Sequence, residues 1–182
     1  MLKIFINPGH DMDLDPGACA NNLREVDIAL AIGEKVKKTM EVIGYPCQLL
    51  QSDNLNGETE GKLNVCATAN NSGADIFVSI HCNSAANSSA KGTETLVYAL
   101  AGGKANILAK SIQAQIVNSL GMVDRGIKER PDLCVLRETS MPAVLVETAF
   151  ISNEEDAYKL MYRIEEFANA ISRGITDAEN LF

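Results

Sequence analysis

The sequence predicts a single α/β domain in which helices cover both faces of a mostly parallel sheet. Short β-rich runs alternate with helical patterns along the chain, and several of the runs are apolar enough to be buried on both faces. A length of 182 residues suits one domain, and no repeat or Pro/Ser-rich linker divides it. We therefore assign one domain to residues 1–176 and a C-terminal tail to residues 177–182.

The strands and helices follow from apolar periodicity and from turn residues between the runs. Six runs are predicted to be strands: Leu2–Asn7, Cys47–Gln51, Asp75–Ile80, Thr93–Leu100, Leu133–Leu136 and Ala143–Val146. Four segments have helical spacing: Leu23–Ile43, Leu63–Asn70, Ala105–Leu120 and Glu154–Ile175. The loop from Pro8 to Asn22 is far longer than the roughly 2–6 residues usual between a strand and a helix. Loops of that kind often carry function.

Composition excludes several classes of partner. The formal net charge is −8, and no cluster of Lys and Arg stands out, so we expect no nucleic-acid partner. The longest apolar run, Leu96–Ala101, is far below the ~18 residues of a membrane span. The five cysteines show no Cys-x-x-Cys pair and suggest neither a disulfide framework nor a thiolate zinc site.

The two histidines of the chain, His10 and His81, each follow a predicted strand. Ligands of open α/β sheets bind beyond the carboxyl ends of the strands, so both imidazoles are candidates for a site. Glu147 ends another predicted strand, and Glu25 opens the first long helix at the same edge. Taken singly, each histidine has an ordinary structural explanation, and Glu25 has one as a helix cap. Cys82, beside His81, is better explained by packing than as a nucleophile.

Together, these side chains match a known kind of catalytic centre. Two imidazoles and one carboxylate form an open zinc shell, and a second carboxylate outside the shell can transfer protons. His10, Glu25 and His81 are the predicted metal ligands, and Glu147 is the predicted catalytic base. Their spacing is long-range, so no local zinc motif applies. Other motifs are missing, since the chain has no Gly-x-Ser-x-Gly and no complete Walker loop.

Five segments resemble the zinc-dependent N-acetylmuramoyl-L-alanine amidases of the amidase-3 type, which cut peptidoglycan. They occur in the order IFINPGHDMDLDPGA, NNLREVDIAL, ANNSGADIFVSIHCNS, DRGIKERPDLCVLRET and PAVLVETAFISNEED. The resemblance covers essentially the whole chain. It implies a three-layer α/β/α sandwich with a central sheet of about six strands, one Zn²⁺ per chain and hydrolysis of the amide between N-acetylmuramic acid and L-alanine.

The resemblance also assigns roles to residues. It implies that His10, Glu25 and His81 bind zinc, that Glu147 is catalytic and that Asn83 lies near the substrate. The chain departs from the family at four places. Asp11 replaces a usual glycine, the loop has one extra residue before Asp15-Pro16-Gly17, and Ser52 and Val65 stand roughly where arginines are usual. We expect these changes to affect contacts with the substrate rather than the chemistry.

Two other functions stay open on the sequence alone. One is a zinc peptidase or deacylase that uses the same residues on another amide of the stem peptide. The other is a non-catalytic wall-binding domain on the same fold. The first ten residues lack the features of a signal peptide. We therefore expect action on the bacterial cell wall after endolysin-type release, or a catalytic domain excised from a longer protein.

Overall fold

A computed structural model describes residues 1–182 of the chain. The strands are β1 (Ile4–Pro8), β2 (Cys19–Ala20), β3 (Leu23–Arg24), β4 (Cys47–Leu49), β5 (Ile76–Asn83), β6 (Thr93–Val97), β7 (Asp124–Glu129) and β8 (Ala143–Phe150). The helices are α1 (Glu25–Val42), α2 (Val65–Asn71), α3 (Gly103–Leu120), α4 (Cys134–Arg137), α5 (Glu154–Tyr162) and α6 (Ile164–Glu179).

Six strands form one mixed sheet in the order β4-β1-β5-β8-β6-β7. Neighbouring strands are parallel except for β6 and β8, which are antiparallel. The strands β1, β5 and β8 lie side by side at the centre, and their carboxyl ends meet at one edge of the sheet. The prediction of a mostly parallel sheet of about six strands is confirmed.

Alternation of apolar side chains along the central strands produces two cores, one on each face of the sheet. In β1, Ile4 and Ile6 join the larger core, which includes residues of α1, α3 and α6. Phe5, between them, belongs to the smaller core with residues of α2 and α4, where it stacks on Phe77 of β5 at 5.6 Å. Both faces of the sheet are therefore covered, which confirms the predicted three-layer sandwich.

Two of the predicted elements are wrong, and the strands β2, β3 and β7 were missed. The two-residue strands β2 and β3 pair with each other, in the predicted loop and at the start of the predicted first helix. The run Leu133–Leu136, predicted to be a strand, forms the short helix α4 instead, because a short apolar run has no periodicity that separates strand from helix. The sixth strand of the sheet is β7, an edge strand with the polar sequence DRGIKE and no apolar alternation to reveal it. The helix predicted over Glu154–Ile175 is two helices, separated at Arg163, whose φ of −126° and ψ of 28° interrupt the helical path.

Two strands run further than predicted, and this changes the position of the candidate residues. Strand β5 continues to Asn83 and β8 continues to Phe150. His81 and Glu147 therefore lie within strands, near their carboxyl ends, and not just beyond them.

The C-terminal residues pack onto the larger core. Helix α6 continues to Glu179, Ala178 is fully buried and Phe182 packs against the same core. The boundary drawn at residue 176 stays a prediction. None of the helices combines the length and apolarity that crossing a membrane requires.

The contact between α3 and α6 yields a prediction about stability. A Cβ atom on Gly174 of α6 would lie 2.5 Å from the Cα of Ile112 in α3, so Gly174→Ala must separate the helices. We expect Gly174→Ala to lower the free energy of unfolding by about 1–3 kcal/mol, the usual cost of overpacking. Urea unfolding followed by circular dichroism measures this. Arg173→Ala, at the exposed neighbouring position, is the control and should unfold with the wild-type midpoint; an unchanged midpoint for Gly174→Ala would contradict the packing described here.

Candidate metal centre

Three elements bring His10, Glu25 and His81 together at the carboxyl edge of the central strands. His10 follows β1, Glu25 is the first residue of α1, and His81 lies near the end of β5. One possible ligand atom from each residue lies within 4.8 Å of the other two. Residues that are far apart in the sequence are therefore neighbours, as the positions of the two histidines after predicted strands suggested.

Glu25 occupies the middle of this cluster and is almost fully buried. Its Oε2 atom lies 3.0 Å from Nε2 of His10, and its Oε1 atom lies 3.0 Å from Nδ1 of His81. The carboxylate also accepts the backbone N–H groups of Ala18 and Cys82, each at 2.9 Å. Burial opposes ionisation, but these hydrogen bonds outweigh it and lower the pKa of Glu25 well below its usual range.

The start of helix α1 does not support the structural explanation of Glu25 as a cap. Arg24 occupies the N-cap position, and no side chain there accepts a hydrogen bond from the helix. The Glu25 carboxylate bonds instead to Ala18 in the preceding loop and to Cys82 in β5. At the helix start, the carboxylate therefore accepts hydrogen bonds from the cluster and the neighbouring loop, and not from a backbone N–H of the helix.

His10 is fixed from its other side by Asp15. The Nδ1 atom of His10 lies 2.7 Å from Oδ2 of Asp15, which leaves Nε2 facing Glu25. Burial works against protonation, but the hydrogen bonds and charges of Glu25 and Asp15 raise the pKa of His10 to about 9. The backbone φ of His10 is +67°, a left-handed value that non-glycine residues seldom adopt and that costs roughly 1–3 kcal/mol. Such strain is typical of functional sites.

His81 lies directly against the loop that carries His10. The two imidazole rings meet edge to face, with centroids 5.0 Å apart. A Cβ atom on Gly9 would lie 2.2 Å from Cε1 of His81, so only glycine permits this approach of the loop to the ring. The Pro-Gly-His segment therefore serves the cluster through the glycine as well as through the histidine.

Glu147 lies beside the cluster on β8, in lateral register with His81 of β5. Its Oε2 atom is buried and has no hydrogen-bond partner. Burial raises the pKa of Glu147 to about 7, and the nearby carboxylates of Glu25 and Glu94 add to the shift. A carboxyl group with a pKa near neutrality can both accept and return a proton, which suits general acid–base catalysis.

A second polar cluster adjoins Glu147 on its other side. Glu94 of β6 pairs in register with Glu147, and it accepts hydrogen bonds from Arg125 Nε at 2.7 Å and from Lys128. Asn83, which the family resemblance places near the substrate, donates its Nδ2–H to Glu94 Oε1 at 3.0 Å. Asn83 thus lies at the edge of the cluster, and its role in substrate binding stays a prediction.

The other residues singled out in the sequence have structural roles in the fold. Cys82 is buried, and burial raises the pKa of its thiol well above the usual value, consistent with packing. Asp11 is also buried; it accepts the backbone N–H groups of Asp13 and Leu14 and pairs with Lys62 at 3.0 Å. Ser52 is buried and accepts the Asn54 N–H, and Val65 belongs to the smaller core. Ser52 and Val65, which stand roughly where arginines are usual in the family, are therefore both buried in this protein.

Sequence reasoning missed two residues of the site, Asp15 and Glu94. Asp15 lies five residues after His10 in the long loop, and a carboxylate that close to a candidate ligand was a usable signal. Glu94 interrupts a predicted strand as a single charged residue. Glu94 and Glu147 are neighbours because β6 lies beside β8 in the sheet, and the sequence does not reveal this strand order.

The arrangement is suited to hold one divalent transition metal. Two imidazoles with one carboxylate are the donors of open catalytic zinc sites. Histidine ligands usually hydrogen-bond a carboxylate through their second nitrogen, as His10 does with Asp15. The structure therefore supports a possible metal site formed by His10, Glu25 and His81.

Comparison with known proteins identifies the family of this chain. The Amidase_3 family model, described as N-acetylmuramoyl-L-alanine amidase, matches residues 4–177. The amidase LytC of Bacillus subtilis (strain 168) is 38% identical over 176 residues, which are 94% of this chain and 34% of LytC. The endolysin of Bacillus phage SPP1 is 35% identical over 178 residues, 94% of this chain and 62% of the endolysin. This chain thus spans less than two thirds of either relative.

A solved structure agrees over nearly the full length. The N-acetylmuramoyl-L-alanine amidase from Clostridium difficile 630 superposes with a TM-score of 0.84 and 30% identity, covering 98% of this chain and 97% of that one. The family match runs from the first strand into the last helix, a range that includes the five candidate residues His10, Glu25, His81, Asn83 and Glu147. The chain therefore belongs to the Amidase_3 family of N-acetylmuramoyl-L-alanine amidases.

Proposed function

We propose that the protein is a zinc-dependent N-acetylmuramoyl-L-alanine amidase that cuts peptidoglycan during lysis or remodelling of the bacterial cell wall. The bond cleaved is the amide between the lactyl group of N-acetylmuramic acid and L-alanine of the stem peptide. The observation that carries the proposal is the position of Glu147, whose buried Oε2 has no hydrogen-bond partner, beside the cluster of His10, Glu25 and His81. Family membership supports the choice of substrate.

The donor set fits zinc better than the harder divalent cations. Mg²⁺ and Ca²⁺ favour oxygen ligands, whereas two of the three donors here are imidazoles. His10, Glu25 and His81 would hold the ion, and Asp15 would orient His10 from behind. When bound, zinc would supply Lewis acidity toward the amide carbonyl and would lower the pKa of a water molecule beside it.

Glu147 performs the proton transfers in the proposed reaction. Its carboxylate takes a proton from the attacking water, and its protonated form delivers that proton to the nitrogen of L-alanine as the amide bond breaks. Burial raises the pKa of Glu147, which favours its acceptance of the proton from water. Glu94 is held by Arg125 and Lys128, so it stays ionised and leaves the proton exchange to Glu147.

The first test is the Glu147→Gln variant. Loss of the proton carrier should reduce turnover by about 10²–10⁴-fold, while the zinc content stays that of the wild type. Mass spectrometry of digested peptidoglycan measures the release of stem peptides that begin at L-alanine, with and without a chelator. Glu34→Gln, on the exposed side of α1, is the control. Full activity of Glu147→Gln would refute its role, and cleavage within the stem peptide by the wild type would indicate a peptidase.

The metal ligands are tested by metal content. His81→Ala removes a donor and should lose most of the bound zinc together with the activity. Asp15→Asn keeps the ligands but weakens the support of His10, so we expect zinc affinity to fall by about 10–100-fold. Competition with a chromophoric chelator gives both affinities. Asp13→Asn, an exposed aspartate of the same loop, should bind zinc normally; undiminished zinc in His81→Ala would show that the ligand set is wrong.

A further inference from the structure

Two of the five free cysteines lie next to each other in the fold. The Sγ atom of Cys66 is 4.0 Å from the Sγ atom of Cys134, although 68 residues separate them in the sequence. Cys66 is the second residue of α2 and is buried, and Cys134 is the first residue of α4 and is half-buried. The chemistry proposed for the metal centre uses neither thiol. The close approach of the two sulfur atoms therefore needs an explanation other than catalysis.

Contacts at the far ends of α2 and α4 hold the two helices side by side. Asn70 lies four residues after Cys66, and its amide donates at 2.8 Å to the backbone carbonyl of Glu138, which lies four residues after Cys134. The Oδ1 atom of Asn70 accepts the N–H of Ser140, also at 2.8 Å. The two helices are thus adjacent at their starts and at their ends. The short distance between the sulfur atoms therefore follows from the packing of the helices and not from one side-chain rotamer.

Both helices adjoin a small cavity of about 130 Å³ beside the two histidines of the metal centre. The apolar part of its lining consists of Leu55 and Val135. Val135 follows Cys134 in α4, and the backbone N–H of Cys66 donates to the carbonyl of Leu55 at 3.0 Å. A covalent bond between the two sulfur atoms would therefore connect the two segments that supply the apolar wall of the cavity.

We propose that Cys66 and Cys134 are a disulfide-forming pair, and that oxidation joins α2 to α4 and fixes the apolar wall of this cavity. An S–S bond is about 2.05 Å long, so the sulfur atoms must approach each other by about 2 Å. Rotation of the half-buried Cys134 side chain and a small shift of the four-residue helix α4 supply this movement. The oxidant is a low-molecular-weight disulfide, such as oxidised glutathione, and the reaction is thiol–disulfide exchange.

The exchange has two steps, and Cys134 reacts first because Cys66 is almost fully shielded from solvent. The Cys134 thiolate attacks one sulfur atom of the oxidant, which forms a mixed disulfide and releases one molecule of glutathione. The Cys66 thiolate then attacks the Cys134 sulfur and displaces the second glutathione. The protons of the two cysteines end on the two glutathione thiols, to which the oxidant is reduced. Burial raises the pKa of both cysteines, to about 12 for Cys66, so the exchange is slow at neutral pH.

The test treats the zinc-loaded protein with oxidised glutathione at mildly alkaline pH, blocks the remaining thiols with N-ethylmaleimide and maps all cysteines by proteolysis and mass spectrometry. We expect the peptides of Cys66 and Cys134 to be joined, and dithiothreitol should separate them. Cys66→Ala should stop after the first step and keep glutathione on Cys134, whereas Cys134→Ser should leave Cys66 unmodified. Cys19 is exposed and should take up glutathione in all three proteins, which shows that the oxidant is active.

Stability and hydrogen exchange are the second readout. The bond closes a long loop, so the oxidised protein should unfold at a temperature about 5–15 °C above that of the reduced protein, and the backbone amides of α4 should exchange more slowly. Oxidant should change neither quantity in Cys134→Ser. Separate Cys66 and Cys134 peptides in protein whose Cys19 is modified would overturn the inference, and so would a linked protein with unchanged unfolding and exchange. Neither result bears on the proposed function, which Glu147→Gln tests independently.

Discussion

The site depends on the hydrogen bonds that the Glu25 carboxylate accepts. The carboxylate contacts Ala18 and His10 in the loop after β1, and it contacts Cys82 and His81 in β5. An ionised group buried this deeply is stable only when it is fully paired, and removal of one partner from such a pair typically costs about 3–5 kcal/mol. The helix start, the long loop and the central strand are therefore held in one arrangement by a single side chain.

This arrangement gives the acidic residues of the site different chemical properties. Glu25 and Glu94 are surrounded by donors and cations, which lower the pKa of each carboxyl group. Glu147 lies between His81 and Glu94 in the sheet. Its buried oxygen has no donor, and burial raises the pKa of Glu147 to about 7. When the environments of two titratable groups shift their pKa values apart, one group can stabilise charge while the other transfers protons.

Apolar periodicity and the positions of strand ends allowed part of the structure to be predicted from the sequence. The alternation of strands and helices predicted the layered sheet, and the positions of His10 and His81 after apolar runs predicted their meeting. Features that depend on contacts between distant strands could not be found in this way. The pairing of Glu94 with Glu147 requires β6 to lie antiparallel to β8, and the edge strand β7 has no apolar pattern. The partnerless oxygen of Asp53 is likewise visible only in three dimensions.

The proposed chemistry requires Glu25 to be a metal ligand together with the two histidines. The most direct measurement is a crystal structure of the zinc-loaded protein, with anomalous diffraction data collected on both sides of the zinc absorption edge. We expect one strong anomalous peak, bonded to Glu25 and to the nitrogens of His10 and His81 that face it. A zinc peak elsewhere, with Glu25 still hydrogen-bonded to both imidazoles, would show that Glu25 is not a metal ligand.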